Sequence, residues 1–353
     1  MTLRDVAAYV GLSVAAVSRA LNGHPDVSEA TRRRILRAAR RLGYQPNAAA
    51  KTLVTRRSHL IGVYFLPGAT PSRFSEPFVS QVVDGLLEGL SRAGYDLLFF
   101  GAGTADGAPS FLELASRREV DGAVFLGLRT DDPRWEELRR FPIPSVSLDV
   151  PIPASRAVCV GSDHLQGSAA VAEHLLSLGH TAIAMINGHT AAPVSWERLT
   201  GFSARLQQVG VHLRPEWVVS GDFTEEGGYQ AARRLLSSAV RPTAIFAASD
   251  LMALGALRAA RELGVRVPEE LSIAGYDDID DAARAVPALT TVHQDRRAIG
   301  MTAASAAVQL IEAPDHPPRR GFSCGRSWSY GSRPGRLARR EGGDGPAGRR
   351  SDG

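Results

Sequence analysis

The sequence predicts a mixed α/β chain: a small head of three helices, then two doubly wound parallel sheets built in tandem. Two observations carry that prediction. Residues 1–44 show helical apolar spacing broken at Gly11 and again before Ser28. From residue 60 onward, short and nearly continuous apolar runs alternate with longer amphipathic stretches, the pattern of buried parallel strands joined by helical crossovers. The chain has 353 residues, and the stretch beyond the head is long enough for two packed subdomains with cores of their own.

In the head, Thr2-Leu3-Arg4-Asp5-Val6-Ala7 opens the first helix, and Gly11 separates it from a second that starts on Ser13, a good N-cap. Val6, Val10, Val17 and Leu21 fall where they can close a small core, so Val14, Ala15, Ser18 and Arg19 point outward. A third helix is expected to start at Ser28 and to bury Ile35, Leu36, Ala39 and Leu42. Three short helices with an exposed, short-side-chained second helix have the shape of a helix-turn-helix reader of the DNA major groove. Charge agrees: residues 1–59 hold eleven Lys/Arg against three Asp/Glu, while the whole chain is only +4. A basic head on an acidic body suits docking of one end on phosphates. Only Lys51 among the 41 basic residues is lysine, which reads as codon bias toward GC-rich triplets.

After the head, Asn47 is placed to cap a short segment over 48–54, and 55–59 reads as a linker. Strands are expected at 60–66, 95–100, 121–126, 144–148, 182–186, 243–247 and 271–275. Helices are expected around 76–93, 109–118, 165–178, 196–209, 225–238, 250–263 and 295–312. Two such sheets place a ligand cleft at the carboxyl ends of their strands, between the subdomains.

Few enzyme signatures are present in the sequence: no Walker loop, H-E-x-x-H or C-x-x-C occurs. Gly101-Ala102-Gly103 follows an apolar strand, but Asp106 stands where a dinucleotide loop needs its third glycine. Asp277-Asp278-Ile279-Asp280-Asp281 lacks the alternation and central glycine of a calcium loop. Cys159 and Cys324 suggest neither a disulfide framework nor a metal site. No cofactor or metal is expected, nor any catalysis. With no signal-peptide pattern and no apolar run of membrane-spanning length, the expected compartment is the cytoplasm.

Several stretches together resemble the lactose-repressor/galactose-repressor (LacI/GalR) family of transcription factors. They are the head, Pro46-Asn47-Ala48-Ala49-Ala50-Lys51-Thr52-Leu53, Leu175-Leu176-Ser177-Leu178-Gly179-His180, Arg198-Leu199-Thr200-Gly201-Phe202 and Gly221-Asp222-Phe223. Ser249-Asp250-Leu251-Met252-Ala253-Leu254-Gly255-Ala256, Gly275-Tyr276-Asp277-Asp278 and Leu289-Thr290-Thr291-Val292-His293-Gln294-Asp295 continue the match. The resemblance covers roughly residues 2–312; its motifs are weak singly and specific as an ordered set. It implies a helix-turn-helix domain at 1–46, a hinge helix and linker at 47–59, and an effector-binding and dimerisation core of periplasmic-binding-protein type at 60–318. Within that core it implies an N-subdomain of about 60–158 plus 288–312, and a C-subdomain of about 159–287. The function implied is an operator-binding regulator, a repressor, controlled by a small sugar or nucleobase-like metabolite and acting as a homodimer on near-palindromic DNA. The alternative is a cytoplasmic ligand-binding module without operator specificity.

Carried over position by position, the resemblance implies DNA contacts from Thr2, Ser13, Val14, Ala15, Ser18, Arg19, Asn22, Ser28, Thr31, Asn47, Ala50 and Leu53. Arg19 suits bidentate reading of guanine, Val14 and Ala15 suit thymine methyls, and Ser28 and Thr31 suit phosphate at a helix start. Ala16 departs from the usual threonine and loses one hydroxyl. Leu53 matches the leucine that wedges into the minor groove. For the effector the resemblance implies Phe78, Asp149, Arg198, Phe223, Ser249 and Asp277, with Arg198 forking onto ligand oxygens and Asp277 accepting ligand hydroxyls. Ser249 stands where lactose-type repressors often carry asparagine, Phe78 and Phe223 would serve equally as core aromatics, and Asp250 reads as a helix N-cap. His180 and His293 read as structural.

The tail departs from the family, which continues with a strand like LxPELVVRxST. Here residues 321–334 read GFSCGRSWSYGSRP and then turn Gly/Arg-rich. Synonymous codons for residues 320–335 allow a shifted frame that reads GFLLRPELVVRESTG. Residues 319–353 are therefore expected to be a frame-shifted segment, the rival reading being a disordered basic tail that adds nonspecific DNA affinity.

Overall fold

The structure is a computed structural model that describes residues 1–21, 24–44, 57–65, 76–101, 109–313 and the backbone of 337–338. It divides into two compact units, Met1–Ser58 and His59–Gly353. Asn22, Asn47, Ala50 and Leu53 lie outside the described residues, as do the hinge segment and nearly all of the tail.

The head is three helices: α1 (Leu3–Val10), α2 (Val14–Leu21) and α3 (Glu29–Arg41). Each start is built by a side chain that satisfies a free backbone N–H. Thr2 forms a capping box with Asp5, whose Oδ2 accepts from the Thr2 N–H at 2.7 Å. Ser13 Oγ accepts from the Ala16 N–H at 3.2 Å, and Ser28 Oγ from the Thr31 N–H at 3.3 Å. Gly11 ends α1 at φ 64°, a left-handed conformation that glycine adopts without strain. The core is Val6, Ala7, Val10, Val17, Ala20, Ile35, Ala38 and Ala39, with Leu21 and Leu42 packed at its edge. One expectation fails: Leu36 is 39% exposed, and Ala38 takes the inward place. Positions 35, 38, 39 and 42 follow the helical period, and 36 does not.

The second unit contains two parallel sheets. In the first, β1 (Leu60–Phe65), β2 (Asp96–Gly101), β3 (Gly122–Leu126), β4 (Ser145–Leu148) and β5 (Ala157–Val160) stand in the order β2-β1-β3-β4-β5. In the second, β6 (Ile183–Asn187), β7 (Val218–Ser220), β8 (Ala244–Ala247) and β9 (Ser272–Ala274) stand in the order β7-β6-β8-β9. Central strands such as β3 and β8 are buried along their whole length, which is why they read as unbroken apolar runs. β5 and β7 were not expected: they are edge strands of only four and three residues, too short to stand out as apolar runs.

The crossover helices are α4 (Pro77–Arg92), α5 (Phe111–Arg118), the short α6 (Trp135–Arg139), α7 (His164–Ser177), α8 (Pro193–Gln207), α9 (Glu225–Leu236), α10 (Asp250–Glu262), the short α11 (Asp280–Arg284) and α12 (Arg296–Glu312). α8 begins three residues before its expected start because a proline is tolerated at the first helical position. α12 returns to the first sheet, where its alanines and Ile311 join the core of Ile61, Val63, Leu86 and Val124. Thr290 and His293 bridge to Ala274 and Asp277 beside β9, so the chain leaves the second sheet only at α12. β10 (Thr291–Val292) pairs antiparallel with β11 (Leu337–Ala338), Thr291 opposite Ala338.

In both sheets the first strand sits between the second and the third, so the winding direction reverses at β1/β3 and at β6/β8. Such reversals open a crevice at the strands' carboxyl ends. Both crevices belong to one cavity.

Candidate functional site

On the head, α2 presents Ser13, Val14, Ala15 and Arg19 to solvent, with Ser18 half-buried behind them. Val14 is 41% exposed, an apolar residue of the right size to meet a base methyl. Ser28 and Thr31 share a hydroxyl–hydroxyl contact of 2.9 Å at the start of α3. Thr2 is committed to its capping box.

In the second unit, Phe78, Asp149, Arg198, Phe223, Ser249 and Asp277, the six residues singled out for the effector, all line one cavity of about 550 Å³. They arrive from the ends of different strands: Asp149 after β4, Phe223 after β7, Ser249 after β8 and Asp277 after β9, while Arg198 comes from the first turns of α8. The rim adds Glu76, Arg129, His189 and Glu225, none of which stood out in the sequence, and Asp222, which had appeared only within a quoted motif.

Arg198 organises the floor. It is buried, its Nη1 donates to the Ala248 carbonyl, and its Nε points at His164 Nδ1 at 3.4 Å. Its guanidinium lies 3.9 Å from the centre of the Tyr276 ring and 5.9 Å from that of Phe223, both within cation–π range. Nη2 stands 3.8 Å from Asp277 Oδ1, close enough for attraction yet long enough for a ligand oxygen to compete. The guanidinium is thus aimed before any ligand arrives, so little rotamer entropy remains to be lost on binding.

His164 explains how Asp149 joins this floor. With Nδ1 facing the Arg198 donor and the Tyr276 hydroxyl at 3.3 Å, the ring proton sits on Nε2 and reaches Asp149 Oδ1 at 3.1 Å. Burial, then the Arg198 charge, lowers the His164 pKa and keeps the ring neutral. Beside it, the half-buried Glu197 is pushed up to about 7 by burial and by the charge of Asp149.

Asp250 corrects one expectation. The N-cap of α10 is Ser249, whose Oγ accepts from the Met252 N–H at 3.3 Å. Asp250 is fully buried and accepts from the Ile279 N–H at 2.9 Å and the Thr291 hydroxyl at 2.6 Å, so it pins the loop that carries Asp277. Burial raises both carboxyls, Asp277 adds to the rise at Asp250, and Arg198 pulls Asp277 back down. Asp277 is held from the far side by Gln294 Nε2 at 2.7 Å, and its carbonyl accepts from Arg296 Nη1.

Phe78 and Phe223 prove to be wall and core edge at once, each packed on its subdomain's core while lining the cavity. Phe223 can lie flat because Gly188 faces it: a Cβ there would stand 1.9 Å from the ring. His180 bridges Thr243 and Ser272 at 3.0 and 2.9 Å and is not among the residues that line the cavity. At the rim, the Thr130 N–H and hydroxyl both donate to the Ala191 carbonyl, at 3.0 and 3.2 Å, tying the loop after β3 to the loop after β6. Among the described residues no group of metal-ligating side chains occurs, and no helix is long and apolar enough to cross a membrane.

Comparison with known proteins agrees with both halves. The family described as "Bacterial regulatory proteins, lacI family" matches residues 2–47, and "Periplasmic binding protein-like domain" matches residues 172–328. The chain is 36% identical over 321 residues to the HTH-type transcriptional regulator CelR of Thermobifida fusca, covering 90% of this chain and 94% of that one. It is 31% identical over 315 residues to the ribose operon repressor of Escherichia coli (strain K12), covering 89% and 94%. Among solved structures, the complex of CelR with cellobiose matches at 33% identity and a TM-score of 0.66, over 90% of this chain and 95% of that one. The lac repressor dimer bound to operator and the anti-inducer ONPF matches at 30% identity and 0.75, over 89% and 94%. With this head, this cleft and this similarity along nearly its whole length, the chain belongs to the LacI family of bacterial DNA-binding transcriptional regulators.

Proposed function

We propose that the protein is a cytoplasmic repressor, working by binding rather than catalysis, that holds a near-palindromic operator as a homodimer and is controlled by a small sugar in its cleft. The observation that carries the ligand assignment is that Arg198, Asp277, Phe78 and Phe223 line one cavity, with Arg198 and Asp277 side by side. A sugar presents hydroxyls around its edge and C–H groups on its faces. The forked donor and the carboxylate acceptor suit the hydroxyls, and the aromatic walls suit the faces. The relatives bracket the chemistry: a CelR structure contains cellobiose, another repressor is named for a ribose operon, and a third group carries the name PurR.

On the DNA side, Ser13, Val14, Ala15, Ser18 and Arg19 are the base-facing set, and Ser28 and Thr31 contact phosphate from the start of α3. Asn47, Ala50 and Leu53 form the hinge that packs against its twin and wedges the operator's central step. The effector acts by favouring one closure state of the two subdomains over the other. The loops tied by Thr130 and Ala191 separate when the cleft opens, so this hydrogen-bonded rim is the element that a ligand biases.

Calorimetric titration of cellobiose, ribose and purine bases into the wild type and Arg198→Ala tests the cleft assignment. One compound of the panel should bind the wild type, and the variant should lose at least about tenfold in affinity, the worth of one charge-assisted hydrogen bond. Unchanged affinity in Arg198→Ala contradicts the role given to the guanidinium.

A further inference from the structure

Three acids lie among the first 59 residues, and each has a partner. Asp5 closes the Thr2 capping box, and Glu29 faces Arg32 and Arg33 one turn along its own helix. Asp26 differs, because its partner is on another element: Asp26 Oδ2 stands 3.1 Å from Nη1 of Arg19, in the last turn of α2.

The carboxylate is offered from a braced turn. The His24 N–H donates to the Arg19 carbonyl at 3.1 Å, closing the end of α2. The His24 carbonyl accepts from Arg32 Nη2 at 2.7 Å and from the Val27 N–H at 3.4 Å. Pro25 fixes one backbone dihedral immediately before Asp26. Both partners are about half exposed, so the ion pair adds little to folding. Its geometry matters for another reason. The contact is made through Nη1, and no hydrogen bond from the Nε/Nη2 edge of Arg19 to another described residue accompanies it. That edge is one of the two forks able to read O6 and N7 of a guanine.

We propose that Asp26 is a specificity-determining positioning residue: it holds the Arg19 guanidinium by one nitrogen so that the opposite edge is presented to a guanine. The proposal rests on α2 being the reading helix and Arg19 its guanine reader. Two effects of the carboxylate oppose each other, and they differ in kind. A negative charge beside the DNA repels phosphates equally for all sequences. A pre-aimed fork lowers the ordering cost of one base contact, and so favours one base pair alone. An acid at this position therefore weakens sequence-independent binding and sharpens discrimination at a single pair in each half-site.

The experiment selects sites from random duplexes with the full-length wild type, then measures binding of wild type, Asp26→Ala, Asp26→Asn and Arg19→Ala to the winning site and its single-base-pair variants. Thermal unfolding of each protein accompanies the titrations. Asp26→Ala should melt like the wild type and bind random DNA at least as tightly. It should lose roughly 3- to 10-fold in discrimination at the one G·C pair per half-site whose discrimination Arg19→Ala removes. Asp26→Asn, whose amide oxygen still accepts, should fall between. Unchanged discrimination at that pair in both Asp26 variants overturns the proposal, and so does a loss spread evenly over all positions. If Arg19→Ala leaves every pair's discrimination intact, it is the assignment of Arg19 as reader that fails, and the role of Asp26 falls with it.

Discussion

Five residues around the cleft hold left-handed backbone without being glycine: Asp149 (φ 59°), Asp222 (53°), Phe223 (58°), Asp277 (117°) and Asp278 (59°). Aspartate tolerates this region better than most residues, whereas Phe223 carries real strain, on the order of 1 kcal/mol or more. Strain of this kind persists where surrounding contacts over-determine the loop, and here those contacts aim side chains into the cavity. Charge is the second residue-scale cost. Glu197 has a folded pKa near 7, above its ordinary 4.5, so the native state holds a proton that the unfolded chain has released. Stability is therefore lost as pH rises from about 4.5 to about 7, and the full penalty is present above that window. Glu197→Gln should accordingly stabilise the protein at pH 8 by about 1–2 kcal/mol, less than the whole shift would give because water screens a half-buried group. At pH 5 it should change little. Urea titrations at the two pH values read the difference, and equal effects at both would show that the carboxyl is not held protonated.

At the scale of elements, α4 and α12 pack backbone against backbone. A Cβ on Gly300 would stand 2.1 Å from the Val82 carbonyl, and one on Gly85 2.1 Å from the Arg297 carbonyl. Both obstacles are backbone, so neither can swing aside. Gly300→Ala should destabilise the second unit by about 1–3 kcal/mol, measured by chemical denaturation; a neutral result would mean the helices can slide apart without cost. The long elements were legible in the sequence because each buries one wide face or a whole strand, which leaves a strong periodic or continuous signal. The short ones were not: β5, β7, α6 and α11 are held by neighbours rather than by their own patterns. The six cavity-lining residues proposed for the effector were legible through resemblance alone. The contacts that aim them, His164 against Asp149 and Asp250 against Thr291, join residues 15 and 41 positions apart. A single sequence carries no mark of such pairings. Asp250 illustrates the cost: its place before an apolar helix suggested a cap, and only the fold shows Ser249 in that role.

At the scale of the whole molecule, charge is divided by region. Residues 1–59 carry a net +8 and residues 314–353 a net +5, which leaves the body acidic within a total of +4. In the proposed reading the basic head supplies sequence-independent attraction to DNA, and the outward residues of α2 supply discrimination. For the basic segment we propose a reading-frame change near Arg320, since one shift restores the strand motif that the resemblance leads one to expect. Sequencing the 3′ end of the gene should find codons whose shifted frame reads LLRPELVVREST; codons incompatible with it would show the basic segment to be genuine. The most direct measurement for the account as a whole is selection of binding sites from random duplexes by the full-length protein. It would be run at two salt concentrations, with and without a panel of sugars and nucleobases. The account predicts a near-palindromic site bound about a thousandfold or more above random DNA, with binding shifted by one compound of the panel. Sequence-indifferent binding that only weakens steeply with salt would contradict it.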